Sequence, residues 1–570
     1  MLMCMAAHAA SLRVGYPDGE IAATGFSKVG NCNVHAAAML PADMLAPYVG
    51  ADITAVRIGL VTAEGVESLS AWVAPALDAA HSDEAAADAA VSGWNEVALS
   101  GALKVEAGVP LWVGYSYHQA KSVKCISIVG SSRPDGCWVQ KEGKDWEVPS
   151  QVGNLSVELV VTDPSFPGKD IEIKALALTA PAVRPGEATA ATLTLRNAAL
   201  TPVDGISVTY EVNGVSAQKA LNVVLEPQKS VVVDLPIATE ALSADVNYEV
   251  KATATAAGDE KADNNSASVL LGCYDESYPR IALIEEFTTE RCGNCPRAIS
   301  TLKEAEEKGY ADRMQVVAHH VGYGVDWLTV EEDEEYLWFY DPYMLSGTFA
   351  PAAMFDRTVR EGDEVPVRSV GYYPDFQPQL EAAVNVPAFV KVTPTVAFDD
   401  ATRQLDVAVD LTTRNAFAAV CQQPRLTVYI VEDKILHHAQ AGISGDSFQH
   451  NHVYRKCLTD LWGDEVNLTS NEAGYNYSYV LPEEWKADDI IVVAFVSEYD
   501  PFDINGCKVA NTGRVSLRPS GIDDIDSDAD VRNVEYYDLQ GRKVDAPLNG
   551  VFVERSVSTD GTVETRKVVR

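Results

Sequence analysis

No run of about 18 apolar residues occurs anywhere in this 570-residue sequence, which excludes a bilayer-spanning helix. Positive charge is scarce: 44 Lys and Arg stand against 82 Asp and Glu, a formal net charge of -38. Such a field repels phosphate backbones and anionic lipid, which argues against binding to nucleic acid or to an anionic membrane surface. Ten cysteines are few for this length and do not form the framework of a small disulfide scaffold. Only Cys292 and Cys295 sit at a spacing with its own chemical meaning. Cys32, Cys125, Cys137, Cys273, Cys421, Cys457 and Cys507 are isolated and read as small buried hydrophobes or sporadic bridges. A zinc site on Cys292 and Cys295 needs a second ligand pair nearby, and none follows, so no cofactor or metal is expected.

What is present is mostly β patterning. The first ten residues are small and apolar and end in an Ala-x-Ala-like step before Ser11, so 1–10 reads as the remnant of a secretory signal without its basic region. Its removal would take Cys4 and leave nine cysteines, hence at least one free thiol or an intermolecular partner. Residues 12–165 alternate apolar and polar in short runs such as 53–60, 111–117 and 155–161, the period of half-buried strands. An Ala-rich stretch near 75–92 reads as a loop or short helix. Two prolines and a glycine at 163–168 mark a linker. Residues 170–272 then space about seven short strands as an immunoglobulin-like sandwich does. At Cys273 the pattern changes to strand, helix, strand, and 274–385 reads as an α/β unit. Pro387 and Pro394 return the chain to β pattern, giving a second Ig-like domain over 386–518. An acidic linker at 523–530 precedes a small β module at 530–570.

Chemistry concentrates at one place. The apolar run from Ile281 to Phe287 leads through Thr288, Thr289, Glu290 and Arg291 into Cys292-Gly293-Asn294-Cys295, which opens a helical run from Pro296. Two residues between cysteines at a helix start let the sulfurs meet. The first sulfur also faces unpaired backbone N–H groups and the positive helix end, which stabilise a thiolate. Cys292 is then the attacking sulfur and Cys295 the resolving one.

This order of strand, dithiol and helix resembles the thioredoxins. That resemblance implies that Glu286, six positions before Cys292, takes the proton of the resolving thiol. It also implies that Pro351, ahead of Ala352–Phe355, is a cis-proline that turns the backbone toward the substrate chain. The sequence departs from the pattern at Arg291, where a Trp is usual, in its central Gly-Asn pair, and in an acidic insertion at 331–335. Over 280–518 the chain also resembles the outer membrane protein 28 related family, through 284–296, Gln449 to Arg455 and Leu461 to Asp464. Residues 12–165 resemble the jelly-roll module of secreted surface proteins. Tyr536 to Val544 and Gly550 to Val553, with Arg566 to Arg570, resemble the C-terminal sorting domain of type IX secretion substrates.

Weaker constellations read as structural. His450 and His452 share a strand face as metal ligands would, with His437 and His438 nearby, but no cysteine or carboxylate lies close in sequence. Of His319 and His320, one is expected buried and one exposed. Glu331 to Glu335 reads as a solvated helix face.

The expected protein is multidomain and mostly β, with jelly-roll and Ig-like sandwiches and one α/β thioredoxin-like domain. It is exported and associated with the cell surface or outer membrane. Its function is thiol–disulfide exchange through Cys292, Cys295, Glu286 and Pro351, with protein thiols or disulfides as partners. The alternative is a non-catalytic adhesion protein that binds glycan or a surface protein and carries a structural Cys292–Cys295 bridge.

Overall fold

The computed structural model describes residues 10–518 apart from 18–20, 23–24, 27–30, 130–132, 134, 150–152, 341–346, 364, 438–439, 446 and 502, and beyond them 531–537, 543–544, 551–558 and 563–569. The signal remnant with Cys4, the acidic linker at 523–530 and His438 lie outside the described residues.

Alternating residues turn the N-terminal strands into two facing sheets, because period two sends every second side chain to the same side. One sheet orders Ser11–Val14, Val157–Thr162, Asp52–Leu60 and Gly93–Lys104; the other orders Asp83–Ala86, Val66–Ala74, Leu111–Gln119, Cys32–Leu40 and Trp138–Lys141. Val34, Ile58, Tyr115 and Leu159 fill the space between them. Part of the Ala-rich stretch departs from expectation. Asp83–Ala86 is an edge strand on Val66–Ala74, since its alternation satisfies the sheet better than a loop does. A second sandwich follows, with three strands (Ile171–Leu178, Thr189–Asn197, Ser230–Ile237) over five.

The rest of the described chain up to residue 518 is built around one nine-stranded sheet. In chain order its main strands are β1 (Ala282–Phe287), β2 (Met314–His319), β3 (Ala352–Phe355), β4 (Arg368–Ser369), β5 (Arg425–Glu432), β6 (Val453–Cys457), β7 (Ile490–Ser497) and β8 (Val509–Ser516). Across the sheet they run β4-β3-β1-β2-β6-β5-β7-β8. β2 lies parallel to β1, and β3 lies antiparallel on its other side. Helices α1 (Cys295–Ala305) and α2 (Tyr373–Val384) pack on one face. Cys295, Ala298, Leu302 and Ala305 recur at three- and four-residue spacing to make the buried stripe of α1, and Gly309, at φ 94°, carries the chain out of the helical segment that follows.

The stretches divided at residue 385 by their sequence patterns therefore share a sheet. They are joined where the Ala318 N–H donates to the His452 carbonyl at 2.7 Å. They also share a core, in which Phe287, Val317 and Met354 meet Tyr429, Tyr454 and Phe495. Pro387 marks a turn, and the strands after it return to extend the same sheet. The other side of β5 and β7 is covered by a three-stranded sheet of Val390–Asp399, Gln404–Thr413 and Glu472–Val480. With both faces buried, β5 is apolar on both sides between Leu426 and Val431, with Thr427 the one polar residue in that stretch. The C-terminal strands Val531–Tyr537, Lys543–Val544, Val551–Ser558 and Val563–Val569 form a separate four-stranded antiparallel sheet.

Candidate functional site

Cys292 and Cys295 are joined in a disulfide at the N-terminus of α1. It is the only disulfide among the described residues, where all of the seven isolated cysteines but Cys32 are buried. The Cys295 N–H points at the Cys292 sulfur at 3.1 Å. A donor at that distance, together with the helix dipole, stabilises a thiolate on Cys292 once the bridge opens. Both sulfur-bearing residues are covered: Cys292 is 2% exposed and Cys295 0%. Pro351 lies at the same end of the sheet, because its neighbour Ala352 pairs with Phe287 at the C-terminal end of β1, and the Ala350–Pro351 bond is cis. Arg291 is exposed.

The cover comes from a part of the chain about 150 residues away. The hairpin of Ile435–His437 and Phe448–His450 brings Gln440 onto the dithiol loop. The Gln440 Nε2 group donates to the carbonyls of Thr289 (3.0 Å), Glu290 (3.2 Å) and Cys292 (3.0 Å), and the Ala441 N–H donates to the Glu290 carbonyl at 2.8 Å. Gly442, at φ 85°, then lies so close that a Cβ there would stand 2.3 Å from the Gly293 carbonyl oxygen. Glu290 fixes the arrangement from the other side. Its carboxylate meets His437 Nδ1 and lies 3.5 Å from His450 Nε2, while its N–H donates to Asp326 at 2.7 Å. Trp327 stacks flat on His437 at 4.1 Å. No local pattern in the sequence marks Gln440, since its role depends on a long-range hairpin.

Adjacent acids on β1 point to opposite faces. Glu286 faces α1 and a cavity of about 310 Å³ that it shares with Thr288, Leu302, His320, His450 and His452. It is buried, its Oε1 has no hydrogen-bond partner among the described residues, and loss of solvation pushes its pKa up to about 8. Folded Glu286 thus keeps a proton that the unfolded chain loses above its ordinary value of 4.5. Its contribution to stability is complete below that value and is lost as pH rises toward 8. We expect Glu286→Gln to raise the thermal midpoint at pH 8 and to change it little at pH 4, as read by calorimetry across that range. A pH-independent difference would contradict the shift.

Glu285 faces the aromatic side. Arg357 donates to both of its oxygens, at 2.8 and 2.7 Å, and His319 Nε2 stands at 3.5 Å. Burial opposes the charge on Glu285, but Arg357 and His319 outweigh it and hold the pKa down at about 2. His319 in turn meets Asp333 at 2.8 Å. The acidic run at 331–335 is consequently not only a solvated face. Asp333 is buried, and Glu332 pairs with Lys456 and Tyr454. His320 departs from expectation as well. It is buried like His319 and bonds Asp326 at 2.9 Å, because the hairpin covers this strand end. His450 ends a strand, whereas His452 lies outside it at φ 58°. Burial lowers the His450 pKa to about 4 and keeps the ring neutral. No group of three or more metal-binding side chains occurs among the described residues.

Fold and site together define a multidomain, mostly β protein with a covered Cys-x-x-Cys disulfide at a helix start. Residues 339–512 match the family described as outer membrane protein Omp28, a match that covers the β-rich half of this body and begins after the dithiol. It agrees with an exported protein of the cell surface or outer membrane. No curated protein matches the chain. Among solved structures, HBP35 of Porphyromonas gingivalis is 18% identical, with 52% of this chain and 100% of that one covered at a TM-score of 0.37. The CARDB domain of the PF1109 protein from Pyrococcus furiosus is 20% identical over 19% of this chain and 90% of its own, at a TM-score of 0.16. Both are weak likenesses of shape and transfer no activity. No helix among the described residues is long and apolar enough to cross a membrane.

Proposed function

We propose that this exported protein carries out thiol–disulfide exchange at Cys292 and Cys295. The observation that carries the reading is the disulfide at the mouth of α1, with a helix N–H on the Cys292 sulfur and a buried, proton-holding Glu286 on the neighbouring strand. The strand order β4-β3-β1-β2, with β1 and β2 parallel and β3 antiparallel, supports a thioredoxin-like unit. In the reduced state the Cys292 thiolate attacks a substrate disulfide, forms a mixed disulfide and releases one substrate thiolate. Glu286 in its ionised form, which its raised pKa of about 8 makes a matched base for a thiol, takes the proton of Cys295, and the Cys295 thiolate then attacks the Cys292 sulfur. Its own bridge re-forms and the second substrate thiolate leaves, so two electrons pass to the substrate. Run in reverse, the same steps oxidise a substrate dithiol. The Gln440 hairpin must be displaced before either direction proceeds. The acidic surface favours protein partners that tolerate a strong negative field. The C-terminal strands support a sorting-like module for surface delivery.

One observation favours a second reading, a structural bridge in an adhesion protein: the exposure of Cys292 is only 2%. Trapping separates the two. The Cys295→Ala protein is expected to accumulate a mixed disulfide with disulfide-bonded test proteins such as insulin, through Cys292 alone, and Cys292→Ala to accumulate none. Failure of Cys295→Ala to form any adduct would leave the structural reading.

A further inference from the structure

A second cavity, of about 490 Å³, lies between the second sandwich and the nine-stranded body, apart from the dithiol. That volume falls within the roughly 300–1,000 Å³ typical of small-molecule sites. Its walls are largely apolar and come from both sides: Ala180 and Pro181 from the sandwich, and Phe355, Ala383, Val386 and Phe389 from the body. Four cations line it, Arg280, Arg360, Arg368 and Lys508, in a chain that carries a net charge of -38.

These charges are only partly balanced. Arg280 donates to Asp356 at 2.5 Å, to the Val509 carbonyl at 3.1 Å and to the Ala510 carbonyl, yet its buried Nε has no hydrogen-bond partner among the described residues. Arg368 pairs with Asp363. Burial and the neighbouring charge of Arg360 both depress the Arg368 pKa, the mark of guanidinium groups crowded together. Arg360 and Lys508 are exposed at the rim, and neither has an ion-pair partner among the described residues. Unpaired cations of like sign around an apolar hollow are stabilised by an anion whose body is apolar.

We propose that this cavity binds an amphipathic carboxylate, with an aliphatic chain inside and the carboxylate held at the rim by Arg360 and Lys508. The apolar body supplies affinity by area removed from water, and the two cations select an ionised head over a neutral one. The site is independent of the Cys292–Cys295 dithiol.

Titration calorimetry on the full chain tests this with decanoate and its neutral counterpart 1-decanol. Decanoate is expected to bind saturably at one site per chain. The double variant Arg360→Glu/Lys508→Glu, altered only at exposed positions, is expected to bind decanoate roughly tenfold or more weakly and 1-decanol as before. Absence of saturable decanoate binding, or decanoate affinity that the double variant leaves unchanged, would overturn the proposal.

Discussion

Replacing Gln440 by Ala is expected to speed reduction of the Cys292–Cys295 bridge by dithiothreitol about ten- to a hundredfold. One buried amide holds three carbonyls of the dithiol loop, at 3.0 to 3.2 Å. A hydrogen bond contributes about 0.5–1.5 kcal/mol net, and about 1.4 kcal/mol changes an opening equilibrium tenfold. Losing this set therefore makes uncovered molecules one to two orders of magnitude more frequent. Gln440→Glu should act at least as strongly, because it sets a carboxylate against three acceptors. Gly442→Ala should act in the same direction, because its Cβ would collide with Gly293 and its φ of 85° disfavours a side chain. Leu436→Ala, exposed on the same hairpin, serves as the control and should leave the rate unchanged. Timed alkylation with mass readout measures all four. Equal rates for Gln440→Ala and the parent would show that the hairpin does not gate the sulfurs.

The largest expected loss of stability follows from Glu285→Ala. The pair it breaks is almost fully buried, each side chain 1% exposed, and Arg357 lies among Tyr336, Phe339, Trp462 and Phe495 at 5.1 to 6.0 Å. Removing one partner strands a buried guanidinium, which costs about 3–5 kcal/mol. Urea unfolding followed by tryptophan emission reports it, since Trp462 is part of that shell. Glu285→Met/Arg357→Met should recover much of the loss, because two apolar groups of similar volume leave no charge behind. The acid limb gives a second check. The folded pKa of Glu285 is near 2 against 4.5 for the free group, so its contribution is present above 4.5 and disappears as pH falls toward 2. In the double variant that limb should flatten. A single variant within about 1 kcal/mol of the parent would mean that water, not the protein, solvates Arg357.

These two predictions rest on features of unequal legibility. The dithiol stood out because the pattern changes there from period two to helical spacing, and Cys292 and Cys295 bracket that change. Glu286 was singled out only by the resemblance to thioredoxins, since an acid in an apolar strand carries no role of its own. Its neighbour Glu285 carried a weaker signal, a second acid in an apolar strand, but its partner Arg357 lies 72 residues away and no pattern links them. Gln440 was further out of reach, for a polar residue in a loop looks the same whether it faces water or clasps another loop. Pro387 shows the converse error. A turn signal there is real, yet it separates neither core nor sheet, because β5 to β8 return to the edge that β2 leaves open. Asp333 was hidden for a similar reason, since a run of acids conceals the one member that turns inward to His319.

The most direct measurement is the reduction potential of the Cys292–Cys295 pair in the full chain, equilibrated against glutathione and dithiothreitol. Exchange chemistry predicts a value above about -300 mV, within the range of roughly -120 to -270 mV in which thiol–disulfide catalysts work. A value below about -300 mV, with no mixed disulfide captured by Cys295→Ala, would contradict the account and leave a bridge that only holds the loop in place.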